Sequence, residues 1–249
     1  MSPAPDAAQR QAAADLELRE RMRRVEEGIL ERAPEHDLEP SLDRIAELTS
    51  ILGDPQHAYP VVHVAGTNGK GSTQAYIRAG LESAGLRVHA YTSPHLAYFN
   101  ERIRLAGGLI SDTALADTLA EVEAVNAGRP ITFFEVTTAA AFLAFSRVAA
   151  DYTLLEVGLG GRLDATNVVK SPRLCAITPV SIDHTQYLGT TLAEIAGEKA
   201  GILKRGVPCV VAPQPPEALA VIEARAARLG CPLSVSGQHW HAARAGDAL

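Results

Sequence analysis

The chain has 249 residues and a mass of 26.4 kDa, which at roughly 150 residues per domain allows one large domain, or one and a half. Hydrophobic residues make up 47% and charged ones 21%, the balance of a soluble globular chain and not of a disordered one. A net charge of −6 and a pI near 5.8 exclude a global field favouring nucleic acid or anionic membrane, so any phosphate binding has to be local.

No stretch approaches the roughly 18 apolar residues that span a bilayer, the best being Ala139–Phe145. The opening segment has no apolar h-region and carries Asp6, Asp15, Glu17 and Glu20, against both a secretory signal and a transit peptide. Cys175, Cys209 and Cys231 are far apart and form no CxxC, which reads as buried, reduced thiols in a cytoplasmic protein.

Residues 1–36 are polar and charge-mixed, and Glu17–Arg32 has the composition of a surface helix that Pro34 stops. Ser41 is placed to cap a helix with Leu42, Ile45, Leu48 and Leu52 on one face, ended by Gly53 and Pro55. From Tyr59 onward, short β-branched runs recur at Val61–Ala65, Arg87–Tyr91, Thr153–Val157, Leu174–Thr178, Val207–Val211 and Leu233–Val235. Helical stretches lie between them at Ser72–Ala84, Asp112–Asn126, Phe133–Ala149, Thr191–Lys204 and Glu217–Leu229. Several runs are apolar on both faces, so the fold class is α/β, a mostly parallel sheet with helices on both faces. Arg102–Leu105 and Leu109–Ile110 flank Gly107–Gly108 and read as a small inserted hairpin. Ligands of such sheets bind beyond the carboxyl ends of the strands.

The run Val61–Ala65 leads directly into Gly66, Thr67, Asn68, Gly69, Lys70, Gly71, Ser72 and Thr73, which open a helix. Glycines let backbone N–H groups turn inward around phosphate oxygens, the helix start adds partial positive charge, and Lys70 reaches the outer phosphates. The strict phosphate-loop pattern fails twice, with Val64 at its first glycine and Gly71 after the lysine. A nucleoside triphosphate is the expected ligand. Concentrated phosphate charge calls for magnesium, which takes oxygen ligands and keeps waters. Glu156 ends the run Thr153–Val157 and is either a solvated carboxylate or a ligand for that ion. His63 lies inside an apolar strand and reads as a core histidine. Lys199 reads by itself as a surface lysine beside Glu194 or Glu198. Gly158–Asn167 lacks the third glycine of a dinucleotide fingerprint, because Leu163 takes that place.

Taken with its neighbours, GTNGKGST (Gly66–Thr73) resembles the phosphate loop of the Mur-ligase superfamily, in its folate branch of folylpolyglutamate synthase and dihydrofolate synthase. In order follow LDRI (Leu42–Ile45) with LGDPQ (Leu52–Gln56) upstream, then YTSPHL (Tyr91–Leu96), FNERI (Phe99–Ile103) and FFEVTTAAAF (Phe133–Phe142). LEVGLGGRLDATN (Leu155–Asn167) and DHTQYLGTTLAEIAGEKAGI (Asp183–Ile202) complete a set spanning about residues 20 to 236.

The resemblance implies an ATP-dependent ligase that activates a carboxylate as an acyl phosphate and joins it to the amine of L-glutamate. The acceptor would be dihydropteroate or the γ-carboxylate of a folate, in a cytoplasmic monomer. It implies catalytic roles for Lys70, Glu156, His184 and Lys199, with Ser93, Glu156, His184 and Ser72 at magnesium. Lys199, as a carbamate, would help hold a second ion. It assigns Ser93, Pro94, His95, Phe99, Phe134, Arg162, Asp164 and Asn167 to the acceptor side, with Phe99 stacking on a flat ring.

It also divides the chain into a 1–36 extension, a catalytic domain over 37–240 that is incomplete at its end, and a tail over 241–249. The C-terminal glutamate-ligase domain of the family would be absent, which leaves turnover by this chain alone open. Two other readings stand beside this one. A P-loop kinase or switch explains the phosphate loop and Glu156, but not TSPH, DATN and EKAGI together. A non-catalytic remnant would hold folate or nucleotide without turnover.

Overall fold

The structure, a computed structural model, describes residues 39–242 together with Glu20 and Gly28. The helix expected over residues 17–32 and the tail from 243 onward lie outside the described residues.

Helix α1 (Asp43–Ile51) has Leu42 and not the expected Ser41 at its N-cap, with no side-chain cap; Ser41, one residue earlier, accepts the Asp43 N–H through Oγ at 3.0 Å. Its Ile45 and Leu48 are buried, and Gly53 leaves the helix at φ 87°. Strand β1 (Val61–Ala65) leads through the glycine-rich loop into α2 (Lys70–Ser83) and then β2 (Val88–Tyr91). The inserted hairpin is present as β3 (Ile103–Leu105) and β4 (Gly108–Leu109), antiparallel to each other, with β3 antiparallel to β2. Ser111 caps α3 (Asp112–Asn126) by accepting from the Ala114 N–H, and Thr132 with Glu135 forms a capping box on α4 (Phe133–Ser146).

Strands β5 (Tyr152–Glu156) and β6 (Leu174–Ile177) follow, then the short α5 (Thr185–Leu188) and α6 (Leu192–Lys199). Strand β7 (Cys209–Val211), α7 (Pro216–Leu229) and β8 (Leu233–Val235) close the order. The helix expected to reach Lys204 stops at Lys199, where Ala200–Ile202 tightens into a 3-10 turn.

The eight strands form one sheet in the order β4-β3-β2-β5-β1-β6-β7-β8, parallel from β2 to β8. Residues of β1 alternate between two cores. Val62 and Val64 pack with Ile77 and Leu81 of α2, while Val61 and Ala65 face the side that carries α1, α3, α4, α6 and α7. Strand β1 is therefore followed by a helix on one face, and its neighbour β6 by helices on the other. That is the topological switch point of a doubly wound sheet, where a crevice opens at the strand ends.

Helix α4 is buried along almost its whole length, from Glu135 to Phe145, and anchors one half of the core. Truncating a buried side chain there, Phe142 for example, costs about 3–5 kcal/mol by analogy with other cores. The three cysteines are free and buried, and burial pushes the Cys175 thiol up to about 12. Among the described residues no helix is long and apolar enough to cross a membrane.

Candidate functional site

The glycine-rich loop sits at the switch point. Gly66 has φ 145°, and a β-carbon there would stand 1.8 Å from Thr178 Oγ1, so only glycine lets the chain turn against β6. Thr67 and Asn68 donate their N–H groups to the Pro179 carbonyl at 3.0 and 3.4 Å. The Thr67 hydroxyl accepts from the Ser181 N–H and donates to the Ser181 carbonyl, both at 3.1 Å. The loop is thus moored to the segment after β6. Gly69, left-handed at φ 84°, precedes α2, and no side chain caps the helix. Its first N–H groups are left facing the crevice mouth, the arrangement that receives an anion.

Two lysines converge on this loop. Lys70 Nζ donates to the carbonyls of Gly66 (3.2 Å) and Thr67 (3.3 Å), and Lys199 Nζ donates to the same Gly66 carbonyl at 3.1 Å. Lys199 is 4% exposed, so it is not the surface lysine that helical spacing suggests. Burial, helped by the charge of Lys70, lowers its pKa to about 8.

Glu156 ends β5 at the loop's flank. Its Oε2 lies 3.6 Å from the β-carbon position of Gly71, and the backbone N–H of Ser93 is near enough to favour its charged form. Burial raises its carboxyl pKa, opposed by the charge of Lys70 and by the Ser93 N–H. Ser93 follows β2, and its Oγ is buried without a hydrogen-bond partner. His184, at the start of α5, is left-handed at φ 48° and half exposed, with Nε2 3.6 Å from Asp183 Oδ2. Ser72 is exposed on the first turn of α2. Among the described residues no three His, Cys, Asp or Glu side chains gather as a metal cluster. An orphaned hydroxyl beside one carboxylate nevertheless suits a hard cation that draws its remaining oxygens from phosphate and water.

Beside the loop opens a cleft of about 470 Å³, lined by Ser93, Pro94, Phe133, Phe134, Leu159, Tyr187 and His184 among others. Three guanidinium groups border it, those of Arg44, Arg102 and Arg162. Arg44 binds both oxygens of Glu135 through Nε at 3.1 Å, and Arg102 Nε donates to His95 Nδ1 at 2.9 Å. An aromatic wall bordered by charges that are largely paired with one another suits a flat, partly polar ligand.

Several expected acceptor residues stand behind this cleft and not in it. Phe99 is 5% exposed and packs edge-on against Phe133, and Arg102 stands over both rings, so Phe134 is the aromatic lining residue that no cation covers. His95 supports Arg102. Asp164 lines the cleft floor, yet its carboxylate is engaged by the loop. Oδ2 accepts the N–H groups of Gly158 and Leu159, both at 2.9 Å, and Oδ1 accepts from the Thr166 N–H and hydroxyl. Asn167 is buried and donates to the carbonyls of Arg162 (2.9 Å) and Gly201 (3.3 Å). Arg162 pairs with Glu198 at 2.9 Å. Gly158 is required because its β-carbon would meet Phe134 at 2.5 Å. Arg44, Arg102 and Thr166 were not singled out from sequence; only the Asp-x-Thr spacing of an Asx turn signalled the last.

Residues 64–244 match the Mur ligase middle domain family. The chain is 48% identical over 203 residues to the dihydrofolate synthase/folylpolyglutamate synthase of Bacillus subtilis, covering 78% of this chain and 47% of that one. Its fold matches that of Mycobacterium tuberculosis folylpolyglutamate synthase complexed with ADP and AMPPCP, with a TM-score of 0.85 and 36% identity over 93% of this chain and 53% of that one. It also matches the bifunctional folylpolyglutamate synthase/dihydrofolate synthase of Yersinia pestis complexed with AMPPNP and Mn, with a TM-score of 0.79 and 38% identity over 87% of this chain and 52% of that one. The chain spans about half the length of the curated relatives it matches. With its phosphate-type loop at the switch point and this match over most of its length, the chain belongs to the Mur ligase middle domain family.

Proposed function

We propose that this chain carries the nucleotide- and acceptor-binding part of an ATP-dependent ligase that joins L-glutamate to dihydropteroate or to the γ-carboxylate of a folate. The observation that carries this reading is the position of Ser93. Its backbone N–H acts on the Glu156 carboxylate at the phosphate loop, and the same residue lines the aromatic cleft. A carboxylate presented from the cleft therefore meets a γ-phosphate presented from the loop at one residue.

In this reading the backbone of Gly66–Thr73 cradles the triphosphate, and Lys70 leaves its carbonyl partners for the outer phosphates. Ser72, Ser93, Glu156 and His184 would hold magnesium, which would supply charge neutralisation on the phosphates. The acceptor carboxylate attacks the γ-phosphate, ADP leaves, and the amine of glutamate displaces phosphate from the acyl carbon. Phe134, Ser93, Pro94 and Arg162 meet the acceptor, with His95 and Phe99 behind them and Asp164 and Asn167 shaping the loop. Lys199, with its depressed pKa, has a neutral amine fraction able to take up carbon dioxide, and as a carbamate it would serve a second ion. The catalytic unit is taken as residues 37–240.

Calorimetry tests the reading on this chain, first with AMPPCP and magnesium, then with dihydropteroate added. Magnesium-dependent nucleotide binding followed by acceptor binding is expected. Binding of neither ligand overturns the proposal, and a phosphorylated protein or sugar product would favour a kinase instead.

A further inference from the structure

His63 lies in the middle of β1, paired with Leu155 of β5 and Cys175 of β6, and it is fully buried. Burial, with a smaller effect from Lys204, depresses its pKa to about 3, so the ring is neutral. Nε2 stands 2.8 Å from Thr166 Oγ1, and the Thr166 hydroxyl in turn donates to Asp164 Oδ1. Nδ1 has no hydrogen-bond partner.

Counting hydrogens gives the direction of the chain. A hydroxyl has one hydrogen, and the Thr166 hydrogen is spent on a carboxylate oxygen. The hydroxyl can then only accept from the imidazole, so Nε2 carries the proton and Nδ1 is a bare lone pair. Burial raises the Asp164 pKa, against the hydrogen bonds from Thr166, Leu159 and Gly158 that favour the carboxylate; the reverse direction would also leave an Nδ1–H buried with no acceptor, which is the costlier orphan. At the far end, Asp164 Oδ2 holds the N–H groups of Gly158 and Leu159. Gly158 in turn backs the Phe134 ring.

We propose that His63 is a positioning residue for the acceptor cleft, acting through Thr166 and Asp164. It orients the Thr166 hydroxyl so that Asp164 stays an ionised acceptor and keeps the 158–164 loop folded against Phe134. This rests on the ligase reading only for the identity of the ligand; the relay itself is a property of the free chain. It ties the centre of β1, three residues before the phosphate loop turns at Gly66, to the floor of the neighbouring cleft.

Three measurements test it. Long-range proton–nitrogen spectra of the full chain should show His63 as the Nε2–H tautomer, unchanged from about pH 5 to about pH 8. Amide exchange at Gly158 and Leu159 should be slow in the native chain and in Thr166→Ser. It should quicken about tenfold or more in Thr166→Val and His63→Leu, since each removes a link of the relay. In the same variants dihydropteroate binding should weaken about tenfold, with AMPPCP affinity within about twofold of native.

An Nδ1–H tautomer overturns the proposal, as does native exchange and acceptor affinity in Thr166→Val. If His63→Leu fails to fold, the pair Thr166→Val and Thr166→Ser still decides. If the native chain binds neither ligand, the ligase reading fails while tautomer and exchange still judge the relay.

Discussion

The Glu156 carboxylate lies 3.6 Å from the point where a β-carbon on Gly71 would stand. The absent side chain gives a buried acid room beside the first turn of α2, where the helix dipole and Lys70 counter its burial. Stability and ligand binding are opposed at such a site, and the first prediction separates them.

Glu156→Gln should unfold at the same or a slightly higher urea midpoint while weakening magnesium-dependent AMPPCP binding about tenfold or more. The pH dependence has a definite sign. Because the folded carboxyl titrates above its unfolded value, native stability relative to the variant is greatest below the unfolded pKa and falls as pH rises through the folded one. Denaturant melts of both proteins across the acid range check this.

Gly66→Ala should cost about 3 kcal/mol or more, because the new β-carbon meets Thr178 Oγ1 at 1.8 Å and the Thr178 carbonyl at 2.9 Å. Adding Thr178→Ala should recover only part of the loss, since the backbone carbonyl stays in place. Chemical denaturation of the single and double variants is the measurement.

Gly158→Ala should leave AMPPCP binding near native but weaken dihydropteroate binding at least tenfold. Its β-carbon would sit 2.5 Å from the tip of the Phe134 ring, which must swing into the cleft. Titration of the two ligands in turn reads the separation.

Lys199 predicts a rise in stability at alkaline pH. Its folded pKa of about 8 lies below the unfolded 10.5. Between these values the unfolded chain retains a proton that the fold has shed, so stability climbs with pH across that window, by about 3 kcal/mol at most. Lys199→Met should lack the climb, and the comparison of their melts isolates it from other groups. With labelled bicarbonate, a carbamate carbon resonance should form on the native chain and not on this variant.

The parallel sheet was legible because its central strands are apolar on both faces, and the phosphate loop because glycines follow β1 directly. Boundaries were less so. Strand β7 begins at Cys209 and not at Val207, because Pro208 has no N–H to give the ladder and contributes only its carbonyl, to Cys175. The burial of Lys199 was illegible from helical spacing, since its partner Gly66 lies 133 residues away. Phe99 and Asp164 look like ligand contacts in the sequence. Their neighbours Arg102, Phe133, Gly158 and Leu159 claim them, and no spacing rule foretells which side chain will face in.

The mooring of the phosphate loop also sets the order in which the site can come into being. Strand β1 pairs on one side with β5 and on the other with β6, and Thr67 finds its partners at Pro179 and Ser181. A ribosome emitting this chain has to release more than a hundred further residues after β1 before the loop has anything to rest against. Long-range pairing of this kind slows folding. Nucleotide affinity should therefore be absent from nascent chains ending before β6 and arise abruptly once Ser181 has emerged.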